Sequence, residues 1–178
     1  YISKGFLDEA KKIANANVKQ FKNLVSADIP LIGIEPSAIL SFRDEYINLV
    51  DETLRDDAKE LSKSIFLIDE FLANEIEDNR ITFQGFSKEP KTILLHGHCH
   101  QKALSSTSFT KKVLELPINY TVSEIQSGCC GMAGSFGYEK EHYDLSQNIG
   151  NQVLFPAIKN ATSKTVLVAN GTSCRHQV

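Results

Sequence analysis

The chain has 178 residues, with 19 Lys+Arg against 22 Asp+Glu, a formal net charge of -3 and 42% hydrophobic residues. A chain of this length can bury a core without disulfides, and its slightly acidic balance lacks the basic footprint that nucleic-acid binding requires. The longest apolar strings, such as residues 166–169, are strand-sized and far short of the roughly 20 apolar residues of a membrane span.

No initiator Met and no apolar leader open the N-terminus, Tyr1-Ile2-Ser3-Lys4, so the sequence reads as a piece of a longer chain. Apolar positions at Phe6, Ala10, Ile13, Ala14, Val18, Phe21 and Val25 recur every three or four residues and predict an amphipathic helix over residues 5–25. Residues 31–34, between Pro30 and Glu35-Pro36, read as a buried parallel strand. Ser37 is placed to cap a helix over residues 38–50, and Asp51 to cap the next. Ile65, Ile68, Leu72 and Ile76 suggest a further helix over residues 64–76.

The polar stretch 77–90, with Gly85 and Pro90, is the expected boundary between a unit at 1–85 and a unit at 86–178. Beyond it, strands are predicted at 92–95, 120–125 and 165–169. Helices are predicted at 101–116, ended by Pro117, and at 138–158, interrupted near Pro156. Strands alternating with helices argue for an α/β fold, a parallel sheet flanked by helices. The two ends of the chain also resemble each other: with Ser37-Ala38 laid on Ser173-Cys174, Leu31-Ile32 falls on Leu167-Val168.

All four cysteines, Cys99, Cys129, Cys130 and Cys174, lie at or just beyond the carboxyl ends of predicted strands. That edge of an open α/β sheet is where ligands bind, so four thiols from three loops can meet at one point. Clustered cysteines in a cytoplasm-like chain point to metals or catalysis rather than disulfides. Cys99 sits in His96-Gly97-His98-Cys99-His100, where the imidazoles can either ligate a metal or donate hydrogen bonds to thiolates, with His98 and His100 taken as the candidate site residues. Gly128 and Gly131 bracket the adjacent pair Cys129-Cys130, and only a tight turn brings two neighbouring side chains to one site. Such a pair suits a multi-atom iron-sulfur cluster better than one tetrahedral ion, with zinc as the alternative. Lys102 and Arg175 flank the cysteines as cations that either offset thiolate charge or stay solvated. The run Arg43-Asp44-Glu45 reads as an exposed helix face, and His142 and His176 as surface or supporting residues.

The strings HGHCHQKA (96–103), SGCCGMAGSFGYEKEHYDLS (127–146) and NGTSCRHQ (170–177) closely resemble the cysteine-rich CCG domain. That domain occurs in the heterodisulfide reductases and at the C-terminus of FAD-linked oxidases of D-2-hydroxy acids such as D-lactate, glycolate or D-2-hydroxyglutarate. The string IGIEPSAILSFRDEY (32–46) is similar to the end of a preceding CCG repeat, with Ala38 where that repeat would carry cysteine. The resemblance implies a Rossmann-like pseudo-repeat: the tail of one CCG repeat followed by a nearly complete second one. It also implies an iron-sulfur electron-transfer module of a flavin-linked dehydrogenase. Upstream FAD and ferredoxin-like domains and an electron acceptor would be its partners, and the expected location is cytoplasmic, with peripheral attachment at the inner membrane face as an option. Cys99, Cys129, Cys130 and Cys174 match the family pattern of Cys, Cys-Cys-Gly and Cys-x-x-Cys, while Gly171 stands at the first position of the final pair. This departure counts against a five-cysteine noncubane cluster and leaves a four-cysteine 4Fe-4S cluster or zinc.

Overall fold

The computed structural model describes residues 1–82 and 84–178, and its contacts group the chain into two compact units, Tyr1–Ile68 and Asp69–Val178. In the first unit a 3-10 turn at Ile2–Lys4 precedes α1 (Leu7–Phe21), which is shorter than its predicted span. Its buried residues Ala10, Ala14 and Val18 recur every fourth position. Ile13, expected on that face, is exposed because it lies about 100° around the helix from Ala14.

β1 (Leu31–Gly33) leads into the single turn α2 (Pro36–Ile39), a 3-10 turn (Leu40–Phe42) and α3 (Glu45–Leu49), so the continuous helix expected over 38–50 is broken. Ser37 does not cap it. Pro36, whose fixed φ suits the first helical position, starts α2, and the Ser37 hydroxyl donates to Glu35 Oε1 at 2.8 Å. Arg43 sits at the break and donates to the Ile65 carbonyl from Nε at 3.0 Å and from Nη2 at 2.5 Å, with its guanidinium 5.7 Å from the Phe66 ring centre. The 43–45 run is therefore not simply an exposed helix face.

A 3-10 turn (Glu52–Leu54) opens α4 (Arg55–Ser62). Asp51 precedes that turn without capping it. Its carboxylate accepts from Asn15 Nδ2 at 2.8 Å and pairs with Lys11 Nζ at 2.9 Å, while its amide donates to Asn15 Oδ1 at 2.9 Å. β2 (Ile65–Leu67), read from the sequence as helix, pairs in parallel with β1, Leu31 opposite Ile65. Ile65 and Leu67 are buried with Phe66 half-buried between them, a two-residue period realised once β1 supplies a partner strand.

The second unit begins within α5 (Ile68–Glu77), which buries Asp69, Glu70 and Ala73, leaves Ile68 exposed and half-buries Leu72 and Ile76, so the expected apolar face is met only in part. Of the stretch 77–90, Phe83 lies outside the described residues. The frame of the unit is a parallel sheet in which β3 (Lys91–His96) lies between β4 (Tyr120–Glu124) and β5 (Val166–Ala169). Leu95 pairs with both Glu124 and Val168, and His96 with Ala169, so the strands end nearly level. Strand alternation sorts the two faces. Ile93, Leu95 and Val122 cluster with Val168 on one side, while Leu94, Leu167 and Ala169 pack on a second cluster of Ile125, Cys130, Met132, Leu154 and Cys174. Each large buried aliphatic side chain there contributes about 1.5–3 kcal/mol.

α6 (Cys99–Leu104) and α7 (Thr107–Leu114) replace the one helix expected over 101–116, because Ser106 Oγ accepts the Ser108 N–H at 3.1 Å and caps a new start. α8 (Tyr143–Gln152) and α9 (Leu154–Lys159) likewise replace the helix expected over 138–158. Pro156 offers no N–H to the carbonyl four residues back, so the first ladder stops at Gln152 and the break falls at Val153. α10 (Thr172–Gln177) follows β5 through Asn170-Gly171. Both β1 into α2 and β5 into α10 are strand, turn and short helix, with Ala38 and Cys174 each third in its helix. The class is α/β, as expected, with five strands among the described residues, in two small parallel sheets flanked by helices. No helix among the described residues is long and apolar enough to cross a membrane.

Candidate metal centre

Because the three strands of the second unit are parallel, the loops leaving their carboxyl ends share one edge of the sheet. They carry Cys99 at the start of α6, Cys129 and Cys130 in the turn beyond Ile125, and Cys174 in α10. All four cysteines are free; Cys130 and Cys174 are buried, Cys129 is half-buried and Cys99 is exposed. Their thiols form one hydrogen-bonded chain, Cys99 to Cys129, Cys129 to Cys130 and Cys130 to Cys174.

This chain alternates in protonation. Hydrogen bonds from Cys130 and Cys99 hold the Cys129 thiol far below the ordinary range, and the amides of Gly131 and Ala133 add to them, the former at 3.3 Å from the sulfur. Cys174 is pulled down to about 5, first by the thiol of Cys130 and then by the imidazoles of His96 and His98 against the opposing effect of burial. Cys99 is pushed up by donating to Cys129, and Cys130 by donating to Cys129 and Cys174, with burial adding in both cases. Along the chain, Cys99 and Cys130 thus hold their protons more tightly than an ordinary thiol, and Cys129 and Cys174 less tightly.

The turn that makes this geometry has positive φ at Gly131 (102°), Ala133 (42°) and Gly134 (69°). Such alternation points successive N–H groups inward as an anion-binding nest, and Ala133 accepts a backbone strain of order 1–3 kcal/mol to complete it. A Cβ at Gly131 would stand 2.2 Å from the Ser146 carbonyl oxygen, so no other residue fits. Gly128 differs: a Cβ there would meet nothing within 4 Å.

His98, 5% exposed, caps α6 by accepting the His100 N–H on Nδ1 at 3.1 Å. Its ring also covers Gly171, where a Cβ would lie 2.1 Å from Cδ2. His100 is half-buried on α6. The histidine that reaches the sulfurs is His96, which the sequence reasoning did not single out. It is 1% exposed at the end of β3, and Nδ1 lies 2.8 Å from Ser127 Oγ. Its Nε2, Cys130 Sγ and Cys174 Sγ lie within 4.8 Å of one another. The two-residue strand period was the available signal, since it puts His96 on the same face as Leu94, toward the cysteine-containing cluster. His142 stacks on Phe136 at 4.0 Å and contacts Glu139 Oε2 at 2.8 Å, while His176 pairs with the Tyr138 hydroxyl.

Buried polar bonds fix the loops. Asp69 Oδ2 accepts from Gln101 Nε2 at 2.7 Å, from Asn170 Nδ2 at 3.2 Å and from the Thr110 hydroxyl. Asn170 Nδ2 also donates to Gln101 Oε1 at 2.9 Å, tying the loop before Cys174 to the helix of Cys99. Gln177 Nε2 donates to the Cys130 carbonyl at 2.9 Å and the Ser146 carbonyl at 3.2 Å. Lys102 and Arg175, read as cations beside the thiolates, donate to loop carbonyls instead: Lys102 to Ser127 at 2.7 Å, and Arg175 to Asn170 at 2.8 Å.

Soft thiolates, an imidazole and amide donors, set in an apolar cluster, form a donor set suited to iron-sulfur or zinc and ill suited to hard cations. An imidazole nitrogen without a hydrogen bond of regular geometry, buried beside two sulfurs, fits such a group as well. Fold and site together define a small α/β unit with a thiolate-rich centre at the carboxyl edge of its sheet.

No protein-family model and no solved structure matches this chain. Among curated relatives it is 30% identical to one of the subunits that make up the anaerobic glycerol-3-phosphate dehydrogenase of Escherichia coli K12, over 99% of this chain and 43% of that protein. It is 28% identical to the D-2-hydroxyglutarate dehydrogenase of Pantoea ananatis and 27% identical to that of Escherichia coli K12, in each case over 98% of this chain and 16% of the relative. The chain thus spans less than half the length of each of these dehydrogenase proteins.

Proposed function

We propose that this chain is the iron-sulfur electron-transfer module of a flavin-linked oxidoreductase acting on a D-2-hydroxy acid. The observation that carries the reading is the meeting of four thiols from three loops at one edge of a parallel sheet. Cys99, Cys129, Cys130 and Cys174 hold a 4Fe-4S cluster, which when bound takes up and releases single electrons. The amides of Gly131 and Ala133 stabilise thiolate charge, while Ile125, Met132 and Leu154 keep water from the buried sulfurs. His98 and Gly171 pack as a pair that holds the Cys99 and Cys174 loops together. Residues 86–178 form the CCG-type repeat that carries the centre, and 1–85 the tail of a preceding one.

Similarity to D-2-hydroxyglutarate dehydrogenases supports the substrate class. Oxidation of the hydroxy acid belongs to an FAD domain upstream, reached through ferredoxin-like clusters, and the module passes electrons on to an acceptor. The uncrosslinked thiols suit a reducing, cytoplasmic setting. The test is iron, acid-labile sulfide and visible absorption on anaerobically purified protein. Near-equal iron and sulfide, about four of each per chain and lost in Cys130→Ser, is the expected result. Stoichiometric zinc without sulfide, in aerobic and anaerobic preparations alike, would overturn it.

A second reading, a zinc-stabilised structural or docking module, is favoured by one observation. The donor atoms of His96, Cys130 and Cys174 lie within 4.8 Å of one another, near the ~3.8 Å edge of a tetrahedron built on Zn–S bonds of about 2.3 Å.

A further inference from the structure

We infer that His96 is a nitrogen ligand of the metal centre, binding through Nε2 at the edge of the centre that Cys130 and Cys174 line. The inference rests on the reading of the site as a metal centre and adds to its four cysteines a donor of different chemistry.

Three observations carry it. First, Nε2 of His96, on a side chain 1% exposed, makes no hydrogen bond of regular geometry among the described residues and is enclosed beside the sulfurs of Cys130 and Cys174, the second of which its imidazole helps to draw toward the thiolate. An imidazole nitrogen enclosed this way lacks the full hydrogen bond that water would give it, and a metal bond supplies what is missing. Second, the other ring nitrogen is already placed: Ser127 Oγ lies 2.8 Å from Nδ1. A hydroxyl accepting from Nδ1–H leaves the lone pair on Nε2, the tautomer that metal ligation requires, and fixes the ring plane. Third, Nε2 and the sulfurs of Cys130 and Cys174 come within 4.8 Å of one another, which puts the imidazole within reach of whatever metal those sulfurs hold.

The fold explains why His96 and not another histidine takes this place. It ends the central strand, so both neighbouring strands hold its backbone, and strand alternation turns its ring toward the cluster of Cys130 and Cys174. His98, two residues on, uses its Nδ1 to cap α6.

The test is pulsed electron paramagnetic resonance on the whole chain, reconstituted anaerobically with iron and sulfide and then reduced, comparing wild type with His96→Gln, His98→Gln, His100→Gln and His96→Cys. A strongly coupled histidine nitrogen is expected in wild type, His98→Gln and His100→Gln, and its loss in His96→Gln. His96→Cys, which puts an anionic thiolate in place of a neutral imidazole, is expected to keep the iron, lose the coupling and shift the midpoint to lower potential. If His96→Gln fails to fold, the wild-type signal together with the His98→Gln, His100→Gln and His96→Cys comparisons decides the matter. Bound iron with no strongly coupled nitrogen in wild type, or a coupling abolished by His98→Gln or His100→Gln instead, overturns the inference and leaves an all-thiolate centre. A wild-type chain that takes up no iron and sulfide overturns the iron-sulfur reading itself and this inference with it.

Discussion

A side chain at position 171 and the imidazole of His98 compete for one volume, since a Cβ would stand 2.1 Å from Cδ2 and 2.8 Å from Nε2. Gly171→Ala is therefore expected to displace His98, undo its cap on α6 and destabilise the metal-free protein by about 1–3 kcal/mol in denaturant unfolding. Gly171→Cys carries the same clash, and it is expected to leave the iron content no higher than in wild type; a gain in iron would contradict this packing. Protonation gives a second prediction at this scale. Cys99 and Cys130 are pushed up and remain thiols at neutral pH, while Cys129 and Cys174 are already thiolates. Metal must displace the two remaining protons, so affinity rises with pH, by about two decades per unit near neutrality. Below about 5, Cys174 takes up a proton as well and the fall steepens. Cobalt(II) competition titrations across pH measure the slope, and a flat profile would contradict the alternating thiol and thiolate chain.

Among the elements, the helices and loops around the centre are set by the Asp69 node, where one carboxylate oxygen accepts from Gln101, Thr110 and Asn170. Asp69→Asn removes the charge that gathers these donors and is expected to cost about 2 kcal/mol, with metal affinity falling roughly 10-fold as the loops loosen. Unfolding and metal competition on the one variant measure both, and unchanged affinity would mean that the node does not position the loops. Four strands were legible in the sequence because each is an apolar run closed by Pro, Gly or polar residues. β2 was not: Ile65, Ile68, Leu72 and Ile76 satisfy a helical period, and its pairing with β1 is a contact no local pattern shows. The break between α6 and α7 escaped for a similar reason, since Ser106 caps across an otherwise helical run; the break expected near Pro156 is present and falls three residues earlier, at Val153, because Pro156 acts on a carbonyl four residues behind it. In the site, cysteines betray themselves by residue type. His96 and Asp69 do not, because a strand-end histidine or a helix acid becomes informative only when its facing is known.

For the molecule as a whole, the proposed function assigns substrate chemistry to a flavin domain and the passage of electrons to this chain. The isolated chain is expected to show no turnover with D-2-hydroxy acids while still accepting and releasing electrons when loaded. Turnover by the chain alone would contradict that division of labour. The most direct test of the central claim is a redox titration of anaerobically reconstituted protein followed by electron paramagnetic resonance. A reversible one-electron paramagnetic signal, absent from Cys130→Ser, is the predicted result; a chain that holds stoichiometric zinc and shows no such signal at any potential would contradict it.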